Sequence, residues 1–286
     1  MQQNKISVIT VCYNAEKYIE KTMLSVLNQS YPDIEYIIID GASKDHTVDI
    51  AKQISSQYPQ RDIRVFSEPD KGIYDAMNKG IKNAIGEWLI FMNAGDVFVS
   101  NNVLEDFCQY LTYDIDILRG NIIRIYDKFK AVSQGLTSQS PTLMDMISGS
   151  FHHQACLIRR KLFMKYGLYS TDYKLCSDWK FFFDCVVLHH VKTKYVNYTV
   201  AAFRMDGASS NNTKKYENES RAYLISLYGE EIVDCLNELK FYRRCKVFRM
   251  LYYAYDRFRN NLSPRTYSRL LNAKRVINSI LGRKVH

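Results

Sequence analysis

Short apolar runs alternate with segments of helical periodicity along the first hundred residues. The runs are rich in β-branched residues and have the length of buried strands. In the segments between them, apolar residues recur three and four positions apart, as on one face of an amphipathic helix. The predicted strands are residues 6–11, 35–39 and 63–67, and the predicted helices are residues 18–27, 48–58 and 73–84. Asn14 is expected to cap the first helix. This alternation predicts an α/β fold with a mostly parallel sheet and right-handed crossovers.

The next apolar run, Trp88 to Met92, predicts a strand that is buried on both faces, as in the middle of a parallel sheet. It ends at the turn-forming residues Asn93-Ala94-Gly95-Asp96. Ligands of open α/β sheets lie outside the carboxyl ends of the strands, and Mg²⁺ or Mn²⁺ prefers oxygen ligands. Asp96 is therefore a candidate metal ligand. The alternative is a turn in which Asp96 only caps the following segment.

The pattern is looser after Asp96. A Ser/Gln/Gly-rich stretch at residues 128–150 is expected to be a mobile loop. His152 and His153 precede a predicted strand, where adjacent side chains point to opposite faces. We therefore expect one of them to line a cleft and no paired metal site. The remaining predicted elements are helices at 103–111, 161–166 and 181–188, strands at 115–118, 121–126, 155–158 and 195–203, a loop at 206–213, and helices from 216 onwards.

Composition narrows the class of protein. The 286 residues are enough to bury a full core. No apolar run reaches the roughly 18 residues of a membrane span, and the N-terminus lacks a signal-peptide pattern. Seven cysteines without a Cys-x-x-Cys pair argue against a disulfide framework or a zinc ribbon. We expect Cys12, Cys156 and Cys185 to be reduced packing residues of a cytoplasmic protein.

The net charge of +9 is concentrated at the C-terminal end. Residues 240–286 hold 13 Lys and Arg side chains and one acid, Asp256, so this segment carries +12 and the rest of the chain −3. Basic residues interleaved with aromatic ones on helices are typical of a peripheral anchor on anionic lipid. Nucleic-acid binding and a solvated basic face are the alternatives. We expect the tail to bind the inner face of a membrane, and no nucleic acid.

Polar residues follow three of the predicted strands, at residues 10–14, 40–43 and 93–96. Because the carboxyl ends of parallel strands meet at one edge of a sheet, Asp40, Asp96 and the ring of Tyr13 should share a crevice. A helix-capping Asp40 and a packing role for Tyr13 are the alternatives. The sequence has no Gly-x-Gly-x-x-Gly after the first strand and no P-loop motif, which disfavours dinucleotide-binding and P-loop interpretations.

Five segments resemble, in order, those of a family-2 glycosyltransferase. They are residues 7–14 (SVITVCYN), 25–30 (SVLNQS), 37–43 (IIIDGAS), 68–80 (EPDKGIYDAMNKG) and 86–96 (GEWLIFMNAGD). Further on, His153-Gln154 and Ser177-Asp178-Trp179 are similar to the acceptor-side and catalytic segments of that family. The resemblance covers roughly residues 5–205. It is specific because the segments occur together in the order of the family, whereas no single segment is specific.

The resemblance implies a GT-A fold over residues 1–215, followed by a helical basic tail at 216–286. Residues 1–100 would bind the nucleotide and residues 101–215 would face the acceptor. The implied reaction is the metal-dependent, inverting transfer of a sugar from a nucleoside-diphosphate sugar, with a UDP-sugar favoured. The acceptor would be a hydroxyl of a glycan or lipid-linked glycan, and the cofactor Mg²⁺ or Mn²⁺.

The resemblance also implies the site residues. They are Thr10, Tyr13 and Asp40 for the nucleoside; Asp70, Asn78 and Lys79 for the donor pocket; Asp96 for the metal; His153, Gln154 and Trp179 for the acceptor side; and Asp178 as the catalytic base. The chemistry fits these residue types, because the reaction needs a metal-polarised leaving diphosphate and a carboxylate that takes the acceptor proton. From its position alone, Asp178 is equally well explained as a helix N-cap.

Two departures from the family pattern bear on function. Asn93 and Gly95 stand where the family commonly has further acids, and Gly41 stands where some members have an acid that contacts the base. Metal binding would then rest on Asp96 and the donor phosphates. Two other classes remain open: a sugar-nucleotide nucleotidyltransferase, which would release pyrophosphate, and a non-catalytic nucleotide-sugar-binding scaffold.

Overall fold

The computed structural model describes residues 4–204 and 212–244, with the backbone alone at 241–244. The strands are β1 (Ile6–Cys12), β2 (Ile34–Asp40), β3 (Asp62–Ser67), β4 (Trp88–Phe91), β5 (Val97–Phe98), β6 (Ile117–Ile125), β7 (Lys130–Ser133), β8 (Cys156–Arg159) and β9 (Thr193–Arg204). The α-helices are α1 (Ile19–Leu27), α2 (Thr47–Gln57), α3 (Ile73–Asn83), α4 (Val103–Cys108), α5 (Leu143–Ser148), α6 (Arg160–Tyr166), α7 (Ser177–Phe183), α8 (Thr213–Tyr228) and α9 (Glu230–Arg244).

The nine strands form one sheet in the order β3-β2-β1-β4-β8-β6-β9-β5, with β7 paired to β6. The first four strands of this order are parallel, as predicted. Residues 88–92 are fully buried, which confirms that this run lies in the middle of the sheet. The register sets Cys12 beside Asp40 and Asp40 beside Ser67, so the polar residues after β1, β2 and β3 meet at one edge.

The other half of the sheet is mixed. β8 is antiparallel to β4 and β6, whereas β6 and β9 are parallel. The two strands predicted at 115–118 and 121–126 are one continuous strand, β6, which passes through Gly120. A side chain at Gly120 would contact the carbonyl oxygen of Tyr198, so the glycine allows β6 and β9 to approach closely where their register shifts.

The segment predicted to be a mobile loop, residues 128–150, contains β7 and α5. Thr142 and Asp145 form a reciprocal capping box at the start of α5. The buried Arg119 donates to the carbonyl oxygen of Ser138 at 2.6 Å, and Trp179 Nε1 donates to that of Met146 at 2.8 Å. Buried donors of β6 and α7 therefore fix this polar segment. The loop prediction is wrong for β7 and α5, whereas residues 134–142 form neither helix nor strand.

Several helices and strands begin or end at residues other than those predicted from the sequence. Asn14 does not cap α1; its Oδ1 accepts from the backbone N–H of Lys44 at 2.9 Å. The helix predicted at 103–111 ends at Cys108, and α7 continues into a π-helical turn, Asp184–Leu188. His153 begins a short 3₁₀ helix, His153–Ala155, so the alternation expected of a strand does not apply to the histidine pair. Cys12, Cys156 and Cys185 are buried free thiols, as predicted.

The chain divides into two compact units between Tyr228 and Gly229, so α8 belongs to the first unit and α9 to the second. The sequence predicts a boundary at 215/216. The loop predicted at 206–213 and the greater part of the basic tail lie outside the described residues. Among the residues that are described, we find no helix of the length and apolarity that a membrane crossing requires.

Candidate active site

The crevice at the carboxyl ends of β1 and β2 is lined by Tyr13, Gly41 and Asp70. The Tyr13 side chain is exposed, at 58%, directly after β1. A Cβ atom at Gly41 would overlap the carboxylate of Asp70 and lie 3.3 Å from Cδ2 of Tyr13. The absence of a side chain at position 41 thus leaves room for an acid that comes from the loop after β3. Asp70 and Tyr13 are the predicted donor residues that the structure brings together here.

Two other predicted nucleoside ligands are buried beneath this crevice. Thr10 is fully buried, and its hydroxyl donates to the carbonyl oxygen of Met92 at 2.7 Å. Asp40 is 1% exposed and accepts from the Ser43 N–H at 2.9 Å and the Ser67 hydroxyl at 2.7 Å. Because these polar groups are already engaged, Thr10 and Asp40 hold the strand ends and the 41–43 turn in place.

Asn78 and Lys79 of α3 also have internal partners. The side-chain amide of Asn78 donates to the Tyr169 carbonyl oxygen at 2.8 Å and accepts from the Tyr169 N–H at 3.0 Å. Lys79 Nζ donates to the Pro69 carbonyl oxygen at 2.7 Å and lies 2.9 Å from Glu68 Oε1. Asn78 thus anchors the segment after α6, and Lys79 fixes the loop that presents Asp70.

Asp96 lies in the turn after β4 and is 4% exposed. Its carboxylate is hydrogen-bonded to the side chain of Gln154, the predicted acceptor-side residue. Burial raises the pKa of Asp96 to about 7, against the lowering effects of His153 and Gln154. In the same turn, Oδ1 of Asn93 is buried and has no hydrogen-bond partner among the residues that the structure describes. Two oxygen groups, one a carboxylate and one unsatisfied, therefore share this turn.

His153 connects Asp96 to the second candidate acid. Its Nδ1 lies 3.0 Å from Oδ2 of Asp178, and its Nε2 lies 3.4 Å from Nδ2 of Asn93. Burial alone lowers the pKa of a histidine, but the hydrogen bond and charge of Asp178, with the charge of Asp96, outweigh it and raise the pKa of His153. His153 is thus close to two carboxylates, and together with His152 it also lines a cavity.

Asp178 lies within the first turn of α7, whose N-cap is Cys176, so the N-cap explanation of Asp178 is wrong. Tyr74 donates its hydroxyl to Oδ1 of Asp178 at 2.8 Å. Burial raises the pKa of this carboxyl, but the hydrogen bonds from His153 and Tyr74 outweigh burial and hold the pKa below its usual value. Asp178 is therefore ionised at neutral pH.

Trp179, predicted on the acceptor side, is 3% exposed and packs against Phe183 and Tyr223. With its Nε1 donating to the carbonyl oxygen of Met146, it supports the wall of the site and does not line it. Asp178 lines a cavity of about 900 Å³, whose walls also include β6, β7, residues 148–154 and Tyr216 of α8.

The sequence alone assigns no role to three groups that the structure places here: the Tyr74 hydroxyl, the Asn93 amide oxygen, and Arg124 of β6 in the cavity wall. Tyr74 stands within the resembling segment 68–80, but only the fold reveals that its partner is Asp178.

The protein atoms available as ligands determine whether the site can bind a divalent cation. Within residues 4–204 and 212–244, no group of three or more His, Cys, Asp or Glu side chains is placed to hold a metal. Mg²⁺ and Mn²⁺, however, are commonly bound by one or two protein oxygens together with substrate phosphates. The buried Asp96 carboxylate and the unsatisfied Asn93 Oδ1 match that requirement.

Solved structures of other proteins share the fold of this chain. The chain superposes on a fragment of S. aureus TarS, residues 1–349, in complex with UDP-GlcNAc, with a TM-score of 0.59 and 21% identity over 73% of this chain and 61% of the fragment. A mannosyltransferase from Pyrobaculum calidifontis, solved with GDP-Man and Mn²⁺, gives a TM-score of 0.59 at 15% identity over 75% of this chain and 61% of that one. The fold is that of the GT-A glycosyltransferases, as the sequence predicts.

The sequence profile of glycosyl transferase family 2 matches residues 7–167, and the chain belongs to this family. A PGL/p-HBAD biosynthesis glycosyltransferase of Mycobacterium tuberculosis (strain H37Rv) is 28% identical over 229 residues, which cover 79% of this chain and 87% of the relative. A dolichyl N-acetyl-alpha-D-glucosaminyl phosphate 3-beta-D-2,3-diacetamido-2,3-dideoxy-beta-D-glucuronosyltransferase of Methanococcus voltae is 37% identical over 107 residues, 35% of this chain and 33% of the relative. The chain is a glycosyltransferase.

Proposed function

We propose that this enzyme transfers a sugar, with inversion, from a nucleoside-diphosphate sugar to a hydroxyl of a glycan or lipid-linked glycan, and that the reaction depends on a divalent cation. The observation that supports this most is the placement of His153 between Asp96 and Asp178. Asp178 lines the cavity, whereas Asp96 lies in the turn after β4 and does not line it. A displacement reaction needs such a separation of the leaving group from the incoming hydroxyl.

On the donor side, the exposed ring of Tyr13 offers a surface for a nucleobase, and Asp70 offers a hydrogen-bond acceptor beside it. A UDP-sugar is the donor we favour, because the TarS structure that shares the fold contains UDP-GlcNAc. Asp96 and Oδ1 of Asn93 would hold Mg²⁺ or Mn²⁺. The cation, when bound, neutralises the charge that develops on the leaving diphosphate.

On the acceptor side, Asp178 takes the proton of the attacking hydroxyl. Its hydrogen bonds from Tyr74 and His153 hold the carboxylate in one orientation and keep it ionised. General base catalysis of this kind contributes about 10²–10⁴-fold to the rate. Under this proposal the attacking hydroxyl, at Asp178, and the leaving diphosphate, at Asp96, lie on opposite faces of the sugar, which gives inversion.

We also infer that residues 240–286 bind the inner face of a membrane, where a lipid-linked acceptor would be found. The +12 charge of this segment supports the inference, and the M. voltae relative is named for a dolichyl-linked acceptor. The test is co-sedimentation with vesicles of phosphatidylglycerol. The full chain should pellet at low salt and a chain ending at Leu239 should remain in the supernatant; equal partitioning of the two would contradict the inference.

The test of the proposed function is a thermal-shift screen of nucleotide sugars with and without Mn²⁺. A ligand that binds only the folded protein raises the melting temperature by mass action. We expect a nucleotide sugar to raise it only when Mn²⁺ is present, and the reaction to release a nucleoside diphosphate. Release of pyrophosphate would favour the nucleotidyltransferase, and binding without turnover would favour the scaffold.

A further inference from the structure

The cavity beside Asp178 has one wall formed by β6 and β7 and another by residues 148–154. At about 900 Å³ it is large enough for one or two sugar rings. Asp178 and His153 lie at one end of it. Under the proposed function this cavity is where the acceptor binds, and its charged groups therefore select the acceptor.

Arg124 lies in the β6 wall of the cavity, beside Ala131 of β7 and Phe203 of β9. It is half-buried, and within the described part of the chain its guanidinium has no hydrogen bond or ion pair. The other arginines of the sheet and its flanks differ. Arg64 pairs with Glu35, Arg119 donates to the carbonyl oxygens of Leu136 and Ser138, and Arg159 pairs with Glu87.

The remaining titratable groups of the cavity do not neutralise Arg124. Asp178 is held by Tyr74 and His153. His152, next to the guanidinium, is hydrogen-bonded through Nε2 to the Ser133 hydroxyl at 2.9 Å, and burial together with the charge of Arg124 lowers its pKa to about 4. His152 is therefore neutral at pH 7, and Tyr216 is the other ionisable residue of the lining.

A guanidinium presents five N–H donors in a planar fork that matches a carboxylate or a phosphate. We propose that Arg124 binds an anionic group of the acceptor, a carboxylate or a phosphate, while another hydroxyl of the same acceptor approaches Asp178. This inference rests on the proposed function, because it takes the cavity as the acceptor site. It requires that the acceptor carry a negative charge on the part that lies in the cavity.

The test uses the full chain saturated with UDP and Mn²⁺, and three probes that differ in one substituent: methyl glucoside, methyl glucuronide and methyl glucoside 6-phosphate. Affinities are measured by titration calorimetry. Wild type should bind at least one anionic probe about 10- to 100-fold more tightly than the neutral one, as expected for charge-assisted hydrogen bonds. The tighter of the two anionic probes distinguishes carboxylate from phosphate.

Arg124→Gln should abolish this preference, and Arg124→Lys should retain part of it, because lysine keeps the charge and loses the fork. Lys130→Gln is the matched control. Lys130 lies on the neighbouring strand opposite Ile125, is exposed, and does not line this cavity, so its loss should leave the preference unchanged.

The inference is overturned if Arg124→Gln keeps the wild-type preference, if Lys130→Gln loses it equally, or if wild type binds neither anionic probe more tightly than the neutral one. UDP affinity in the presence of Mn²⁺, measured on the same preparations, separates the two proposals. Absent UDP binding contradicts the UDP-sugar donor of the proposed function. Intact UDP binding without an anion preference contradicts the assignment of Arg124 alone.

Discussion

The hydroxyl of Tyr74 lies 2.8 Å from Oδ1 of Asp178, although the two residues are 104 positions apart in the chain. Tyr74 is in the first turn of α3, and Asp178 is in the first turn of α7. This hydrogen bond ties the candidate base to the helix that begins beside the donor crevice. It also favours the ionised form of the carboxyl, which is the form a base requires.

Tyr74→Phe should raise the pKa of Asp178, because the ionised carboxylate loses one hydrogen-bond donor. The acid limb of the kcat–pH profile, measured with saturating donor and Mn²⁺, should therefore move to higher pH, and kcat at neutral pH should fall by less than about 10-fold. Tyr169→Phe is the matched control. Its ring lies 5.6 Å from that of Tyr74, and its buried hydroxyl has no hydrogen-bond partner. An acid limb that stays in place in Tyr74→Phe would contradict the role given to Tyr74.

Cation affinity should increase with pH through the range in which Asp96 loses its proton. A carboxylate must be deprotonated to bind a metal, and burial raises the pKa of Asp96 to about 7 in the metal-free protein. Mn²⁺-dependent UDP affinity should therefore rise about 10-fold per pH unit below 7 and level off above it. Asp96→Asn should bind weakly at every pH. A flat profile in wild type would show that Asp96 is not the ligand.

The raised pKa of Asp96 also predicts that the metal-free protein becomes less stable as the pH rises, although its affinity for the cation increases. The folded-state pKa of Asp96 lies above the ordinary aspartate value, so the folded protein retains a proton that the unfolded chain has released. This contribution to the free energy of unfolding is complete below about pH 4 and is lost as the pH rises through 7. Denaturant unfolding of wild type and Asp96→Asn over this pH range measures this contribution. The free energy of unfolding of wild type, relative to that of Asp96→Asn, should fall as the pH rises.

Gly41→Ala should weaken donor binding by about 10-fold without unfolding the protein. The new Cβ would overlap the Asp70 carboxylate, which is the end of a mobile side chain and must move away. A double-mutant cycle isolates this effect. In an Asp70→Ala background, the alanine at position 41 should make little further difference to UDP affinity. An equal loss in both backgrounds would mean that the alanine acts through something other than Asp70.

The parallel half of the sheet was predictable because its information is local. Each strand is a β-branched run, each helix has its own period, and the burial of residues 88–92 follows from five consecutive apolar side chains. The prediction failed where the stabilising partner is remote. The 128–150 segment is polar. The Arg119 and Trp179 side chains that fix it donate to backbone carbonyl groups, and such contacts cannot be inferred from the residue types of the segment.

The candidate site shows the same contrast between features that are local in the sequence and features that depend on remote partners. The resemblance implies roles for Asp96, His153 and Asp178, which the structure places close together, but it does not distinguish buried side chains from exposed ones. Thr10, Asp40 and Asn78 were expected to contact the donor, and only the fold reveals that their polar atoms already have partners. The position of His153 depended on a 3₁₀ turn that the strand pattern did not predict.

The most direct test of the central claim is to measure transfer rate and donor affinity on Asp178→Asn alongside wild type. Asparagine keeps the size of the side chain and can still accept from Tyr74, but it cannot take a proton. We predict an unchanged UDP-sugar affinity in the presence of Mn²⁺ and a transfer rate lower by about 10²–10⁴-fold. A transfer rate within a few-fold of wild type would contradict the assignment of Asp178 as the base.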